Sequence, residues 1–341
     1  MTRHFLILVC VALTLGAFVT ACRTGEPVVT VYVTVDQPFA EPVLASFSAK
    51  TGVTVQPVFD TEAAKTVGLA NRLRAERAHP QCDVFWSSEF AHTVRLADEG
   101  LFEARNWPTA TGLPAELCDS GRRWVGFGLR ARVLLANTKA LAAASMPIRL
   151  VDLLDPAWKP GEVAIGLPLF GTTNTHAAAL YAMGGETEML GFFEALKARG
   201  AAFVDGNAVV RDRVAAGACL VGLTDTDDAL VSVTRGDPVK MIIPDQGPGG
   251  SGTLLIPNTV AVIAGAPHPR EAALLADYLA SIEVEKMLAE GESKQISARP
   301  AGPVPMGLPP LDGLRPLPVS LASVAAAIPS ATVLLRDRFM R

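Results

Sequence analysis

Val28-Val29-Thr30-Val31-Tyr32-Val33-Thr34-Val35-Asp36 is a run of β-branched and aromatic residues that ends in an acid, and it reads as a buried strand. The next apolar residues, Phe39, Val43, Leu44 and Phe47, recur at helical spacing, and Gly52 closes that helix. A second strand over residues 53–59 leads into a helix from Thr61 to about Arg77. Asp83-Val84-Phe85-Trp86 then forms a strand, followed by a helix that ends at Gly100. This β-α-β-α-β-α order predicts a parallel sheet joined by right-handed crossovers.

Beyond a loop-rich stretch at 104–122, strand-like segments occur at 124–127, 133–136 and 163–167. Helical patterns at 175–183 and 188–199 follow, then strand 201–205, helix 208–216, strand 218–223, helix 228–235 and strand 238–243. A second α/β lobe begins there. A strand at 253–263, helices at 269–281 and 283–290, a proline-rich stretch from Pro300 to Pro318 and an amphipathic segment from Leu321 complete the chain. At under twenty residues, the proline-rich stretch predicts a strap across the surface rather than a linker.

The 341 residues are 50% hydrophobic and 19% charged, enough for two ordinary domains and too apolar for disorder. Lys and Arg number 30 against 34 Asp and Glu, for a net charge of −4. No excess of positive charge follows a phosphate backbone, so no nucleic-acid partner is expected. After the first two dozen residues no apolar run reaches transmembrane length. Those first residues read as an export signal: Arg3 and His4, an apolar stretch over 5–19, then Val19-Thr20-Ala21-Cys22. Besides Cys22, the exported chain keeps Cys82, Cys118 and Cys219, whose spacings contain no Cys-x-x-Cys. They are read as structural, with no pairing assigned.

In open parallel sheets, ligands bind beyond the carboxyl ends of the strands. Here those ends carry Asp36, Asp60-Thr61-Glu62 and Ser87-Ser88-Glu89 in the first lobe. In the second they carry Gly171-Thr172-Thr173-Asn174-Thr175-His176, Asn207 and Thr224-Asp225-Thr226-Asp227-Asp228. Helix capping accounts for Thr61, Asn207 or one of Asp227 and Asp228 taken singly. It does not account for three acids in four residues, which repel one another without a cation or basic neighbour. Gly171-Thr172-Thr173 before a helix suits an anion. His176 reads as a ligand or as a half-buried helix residue. Arg130 and Arg132 flank the lobe junction, and at most one is expected to face a cleft. No Gly-x-Ser-x-Gly, His-Glu-x-x-His or phosphate-binding loop occurs, so no catalytic residue is assigned.

Several stretches carry a resemblance: Val31-Tyr32, Thr51-Gly52-Val53, Asp83-Val84-Phe85-Trp86, Arg130-Ala131-Arg132-Val133, Asn137-Thr138, Asp155-Pro156-Ala157-Trp158-Lys159, Gly206-Asn207 and residues 265–278. In these the chain resembles the ferric-ion and related solute-binding proteins of bacterial ABC importers, with the type II periplasmic binding fold. Val19-Thr20-Ala21-Cys22 resembles a lipobox, which implies a lipid on Cys22. Ferric-binding members hold iron with a histidine after the first strand, a glutamate after the Asp-Val-Phe strand and two adjacent tyrosines. The matching positions here are Asp36, Ser88 with Glu89 beside it, and Thr226 with Asp227, while Tyr32, Tyr181 and Tyr278 lie elsewhere. A phosphate or carbonate completes the site in those relatives, and Gly171-Thr172-Thr173 and Asn207 match its turn and asparagine.

The resemblance implies an α/β, two-lobed type II periplasmic binding fold with crossover strands near 128–133 and 253–257. Residues 1–21 are expected to be a signal peptide and 22–27 a tether. The N-terminal lobe is 28–130 with 257–297, and the C-terminal lobe 131–256 with 298–341. The expected ligand-binding set is Asp36, Asp60, Thr61, Ser88, Glu89, Arg130, Gly171, Thr172, Thr173, Asn207, Thr224, Asp225, Thr226 and Asp227. Of these, Asp36, Glu89, Asp225 and Asp227 are the expected metal ligands. The expected function is capture of ferric iron or another metal, with phosphate or carbonate, for an ABC permease and ATPase. The protein is expected to be an exported monomer that meets the membrane only through its lipid and has no catalytic cofactor. The alternative cargo is a small anionic or zwitterionic solute such as an aminoalkylphosphonate, and a third reading is an enzyme or sensor domain on the same scaffold. Replacing Asp225 and Asp227 together by Asn is expected to abolish binding at a nearly unchanged melting temperature.

Overall fold

The computed structural model describes residues 26–60 and 67–340. The export signal, Cys22 and Thr61 lie outside the described residues. β1 (Val28–Val33) is followed by α1 (Gln37–Thr51), which buries Ala40, Val43, Leu44 and Phe47. That helix ends at Gly52, whose φ of 72° is open to glycine without a Cβ clash. β2 (Thr54–Phe59) and β3 (Val84–Ser87) flank β1, both parallel to it. Helices α2 (Val67–Ala75) and α3 (Ala91–Asp98) complete the first unit as the sequence predicts.

The two strands expected at 124–127 and 133–136 are one, β4 (Trp124–Asn137), buried along its whole length. Two arginines interrupt its apolar pattern, and a buried strand tolerates them only where tertiary structure supplies carboxylates. At Gly128, with φ of 48°, the register shifts. Residues 124–131 pair antiparallel with β9 (Leu255–Val262). From Arg132 onward the partners are β7 (Val221–Asp225) and β8 (Val239–Ile242). With β5 (Val163–Gly166) and β6 (Ala202–Val204), the described strands run β2-β1-β3-β9-β4-β7-β5-β6, and β8 pairs with β4. β4 thus belongs to both halves of the sheet.

α4 (Gly171–Ala198) bends at Gly185, where φ is 71°, and so takes up the two helices read from the sequence. α5 (Asn207–Ala215) and α6 (Thr226–Arg235) flank the second half of the sheet, and α7 (Pro269–Leu279) and α8 (Ile282–Glu290) the first. α9 (Leu321–Phe339) packs on both α4 and α3. Val31, Phe47, Trp86 and Phe127 centre the core of the first half, and Leu134, Ile165, Phe193 and Leu223 that of the second. Each such side chain contributes about 1.5–3 kcal/mol by leaving water. No described helix is long and apolar enough to cross a membrane. Cys82, Cys118 and Cys219 are free thiols.

Candidate functional site: a cleft built on two arginines

β7 runs on to Asp225 instead of ending at residue 223, and α6 begins at Thr226 instead of 228. The acidic run is therefore split between a strand end and the first turn of a helix. The antiparallel register sets Asp225 directly opposite Arg132. Arg132 Nη1 donates to Asp225 Oδ1 at 2.7 Å, and it lies 3.1 Å from Asn207 Oδ1 and 3.2 Å from Thr172 Oγ1. Arg130, two residues earlier and so on the same face of β4, donates through Nη1 to Asp225 Oδ2 at 3.2 Å and Asp227 Oδ2 at 3.5 Å. Its Nη2 donates to the Ser88 carbonyl, tying the crossover strand to the first half of the sheet. Asn207 Nδ2 donates to Asp225 Oδ2 at 2.9 Å and Thr172 Oγ1 at 2.8 Å. Arg211 holds Asp228 at 3.2 Å. These three arginines are the basic neighbours that the acidic run requires.

The charges respond to that arrangement. Burial opposes the Arg130 charge, but Asp227, Asp225, Asp36 and Asp228 outweigh it and hold its pKa above the ordinary arginine value. Burial also works against the Asp225 carboxylate, and Arg132 and Arg130 overcome it, so its pKa lies below the usual range. Asp227 goes the other way: burial, with Asp225 and Asp36 nearby, pushes it up to about 6 against the pull of Arg130. Burial likewise raises Glu89 to about 6, opposed by the His92 and Ala91 amides.

A cavity of about 40 Å³ opens above this network. Asp36 and Ser88 line it from the first half of the sheet, Arg130 from the crossover strand, and the turns at 166–173 and 205–208 with Asp228 from the second. The residues at the helix N-caps of α4 and α5, Phe170 and Gly206, make no side-chain cap bond. Two helix N-termini, each carrying partial positive charge, therefore meet at one small space. Gly171 holds φ at 53° there, and a Cβ on Gly166 would lie 2.9 Å from Thr173 Oγ1. The buried Nε atoms of Arg130 and Arg132 have no acceptor among the described residues. The arrangement can bind an oxyanion on one wall and present a carboxylate from the other.

Of the expected residues, Asp36, Ser88, Arg130, Gly171, Thr172, Thr173 and Asn207 line this cavity. Asp225 and Asp227 lie outside the lining and hold Arg130. Thr224 donates to the Asn207 carbonyl at 3.3 Å, and Thr226 accepts from the Ala131 amide at 3.2 Å, so both fix neighbours rather than face the space. Only Arg130 of the arginine pair reaches the lining, although both project from one face. Glu89 corrects the expectation: its carboxylate accepts from the amides of Ala91 at 2.6 Å and His92 at 3.1 Å and from the Thr175 hydroxyl at 3.2 Å. Glu89 lies two residues before α3 begins at Ala91, and its carboxylate takes up the amides of that helix's first turn. Asp60 accepts from the Leu69 amide at 3.2 Å, away from the cavity. Among the described residues, no group of three or more His, Cys, Asp or Glu side chains is placed to hold a metal ion. Asp36, Glu89, Asp225 and Asp227 thus do not form a ready chelate. The sequence reading missed Gly166, Phe170 and Asp205; Gly206 beside Asn207 was the one local signal, and the rest arises from turns meeting in space.

Residues 80–307 match the family described as bacterial extracellular solute-binding protein. Iron uptake protein A1 of Synechocystis sp. is 25% identical over 254 residues, covering 72% of this chain and 69% of that protein. A Salmonella typhimurium protein, provisionally named a 2-aminoethylphosphonate-binding periplasmic protein, is 26% identical over 290 residues, covering 82% of this chain and 81% of its own. The crystal structure of iron-bound HitA from Pseudomonas aeruginosa superposes with a TM-score of 0.81 at 25% identity, over 91% of this chain and 99% of that one.

Proposed function

Since the chain belongs to the family of bacterial extracellular solute-binding proteins, we propose that it is the receptor of an ABC importer that captures ferric iron together with an oxyanion. One observation carries the reading: two helix N-termini without side-chain caps and an arginine with an unclaimed Nε converge on a space whose other wall bears Asp36. The oxyanion would sit on Gly171, Thr172, Thr173, Asn207 and Arg130, which Asp227 holds in place, and its own oxygens would complete the coordination of a hard cation near Asp36. The iron-named relatives favour this cargo.

The cavity, at about 40 Å³, is small beside the roughly 300–1,000 Å³ of small-molecule sites. Cargo entry would therefore require the walls to part, with residues 28–130 and 257–297 moving against 131–256 and 298–341 about β4 and β9. Binding would bias that two-state motion. The cargo would pass to a permease and its ATPase, from an exported monomer held to the membrane by a lipid on Cys22. The role is binding and release, with no turnover.

A second reading has its own support. With no ready metal chelate among the described residues, the acidic wall also suits an ammonium group. A small zwitterion such as an aminoalkylphosphonate would then span the site, with its anionic end on the Gly171 turn. A relative named for 2-aminoethylphosphonate favours it.

The test is elemental analysis and native mass spectrometry of the form lacking residues 1–22, purified without chelator and titrated with ferric citrate, with and without phosphate. One iron per chain, bound more tightly with phosphate and lost in Arg130→Met, supports the iron reading. No uptake of iron, with saturable binding of 2-aminoethylphosphonate, replaces it by the second. Turnover of either would instead favour an enzyme on this scaffold.

A further inference from the structure

Where β4 passes from one half of the sheet to the other, Phe127 pairs with Asn258 of β9 and Leu129 with Pro257, so Gly128 between them stands opposite no residue. An extra residue of this kind leaves its own backbone groups outside the ladder and exchanges the faces of every residue after it. Val125 and Phe127 enter the core of the first half with Trp86. A regular strand would continue that face with Leu129 and Ala131. Beyond Gly128 it is continued instead by Arg130, which pairs with Ile256, two residues from Asn258 on β9, and then by Arg132. Leu129, Ala131 and Val133 pack with Val210, Val214 and Leu230. The bulge is what turns both arginines toward Asp225 and the cleft.

Both backbone groups of Gly128 are taken up by buried side chains. Its amide donates to Glu285 Oε1 at 3.1 Å, and its carbonyl accepts from Asn258 Nδ2. Asn258 Nδ2 also donates to Gln295 Oε1 at 2.6 Å. The Glu285 carboxylate further accepts from the Ala298 amide at 2.8 Å and the Ser297 hydroxyl at 2.6 Å. Asn258, Glu285 and Gln295 are buried, and none of them lines the cleft cavity. Groups of this kind are costly inside a protein unless they are paired. A β4 without Gly128 would satisfy its backbone through the ladder and need none of them; what the extra residue gains is the face of Arg130 and Arg132. On the reading of the cleft as an oxyanion site, we propose that Asn258 and Glu285 are positioning residues: by holding the extra residue in place, they set the face of β4 from which Arg130 meets the oxyanion.

The test uses the form lacking residues 1–22, with isotope-labelled arginine. The Arg130 Nε is buried, so its N–H exchanges slowly and gives an NMR signal that is assigned by its loss in Arg130→Met. Asn258→Leu removes the donor to the Gly128 carbonyl. Glu285→Leu removes the acceptor of its amide, and Glu285→Gln returns an oxygen to the same place. The Arg130 signal should move in both leucine variants and return to its wild-type position in Glu285→Gln. Asn258→Ser, which leaves space for water in place of the amide, serves if the leucine variant does not fold and should move the signal likewise. Affinity for inorganic phosphate, by calorimetry, should fall about tenfold in Asn258→Leu, the scale of one hydrogen bond to a charged group. In the Arg130→Met background the same change should cost less than about twofold. An equal loss in both backgrounds would show a merely structural role and overturn the proposal. So would an Arg130 signal that stays in place in the Asn258 and Glu285→Leu variants, and failure of Glu285→Gln to restore it would remove Glu285. If the wild type binds no phosphate, the oxyanion reading fails, and the Arg130 signal decides the positioning role by itself.

Discussion

Arg132 and Asp225 are cross-strand neighbours, buried completely and joined at 2.7 Å where β4 leaves one half of the sheet for the other. The carboxylate also takes a 3.2 Å contact from Arg130 and a 2.9 Å hydrogen bond from Asn207, so one acid anchors the crossover strand and the α5 turn together.

Asp225→Asn should therefore unfold the protein more easily, by about 3–5 kcal/mol, because it leaves a buried arginine without its counter-charge. Urea denaturation at pH 7 measures this. The outcome expected from sequence alone, lost binding at unchanged stability, now belongs to Asp227→Asn. A double mutant as stable as the wild type would contradict the structural role of Asp225.

The elevated pKa of Asp227, at about 6, sets a pH window. Between about pH 4 and 6, Asp227 is ionised in the unfolded chain, with an ordinary pKa near 3.9, but holds its proton when folded. The unfolded state then binds fewer protons, so this residue's contribution to stability declines as pH rises through the window. Melting temperatures from pH 4 to 7 should show wild type losing ground to Asp227→Asn, since other carboxylates are common to both. Cargo binding, for which the ionised Asp227 holds Arg130 in place, should strengthen over the same interval.

Gly171 opens α4 with φ at 53° and nothing within 4 Å of a Cβ. Gly171→Ala should cost about 1–2 kcal/mol from backbone strain alone, and Gly171→Asn less. Phosphate affinity by calorimetry should drop in Gly171→Ala, because the first turn that presents its N–H groups must shift.

Glu89 separates capping from coordination. Glu89→Ala should lower stability by about 0.5–2 kcal/mol, as loss of a helix cap does, and leave iron or phosphonate affinity within about twofold of wild type. A large loss of affinity with little loss of stability would restore it to the ligand set.

The alternation of β-branched strands with helical stripes fixed the order of elements, because side-chain periodicity is a local property. Phe39, Val43, Leu44 and Phe47 announced α1, and Gly52 its end. The polar residues at strand ends were equally visible, and of these Asp36, Ser88, Asn207 and the Gly171 turn line the cavity. Sequence could not show that β4 is continuous, since Arg130 and Arg132 look like a break until β7 brings Asp225 alongside. Nor could it separate Glu89, folded back onto the α3 amides, from Ser88, which lines the cavity. Which carboxylates face a ligand and which neutralise arginines depends on strand register and on how two helix N-termini meet, and these are fixed only when segments distant in sequence pack together.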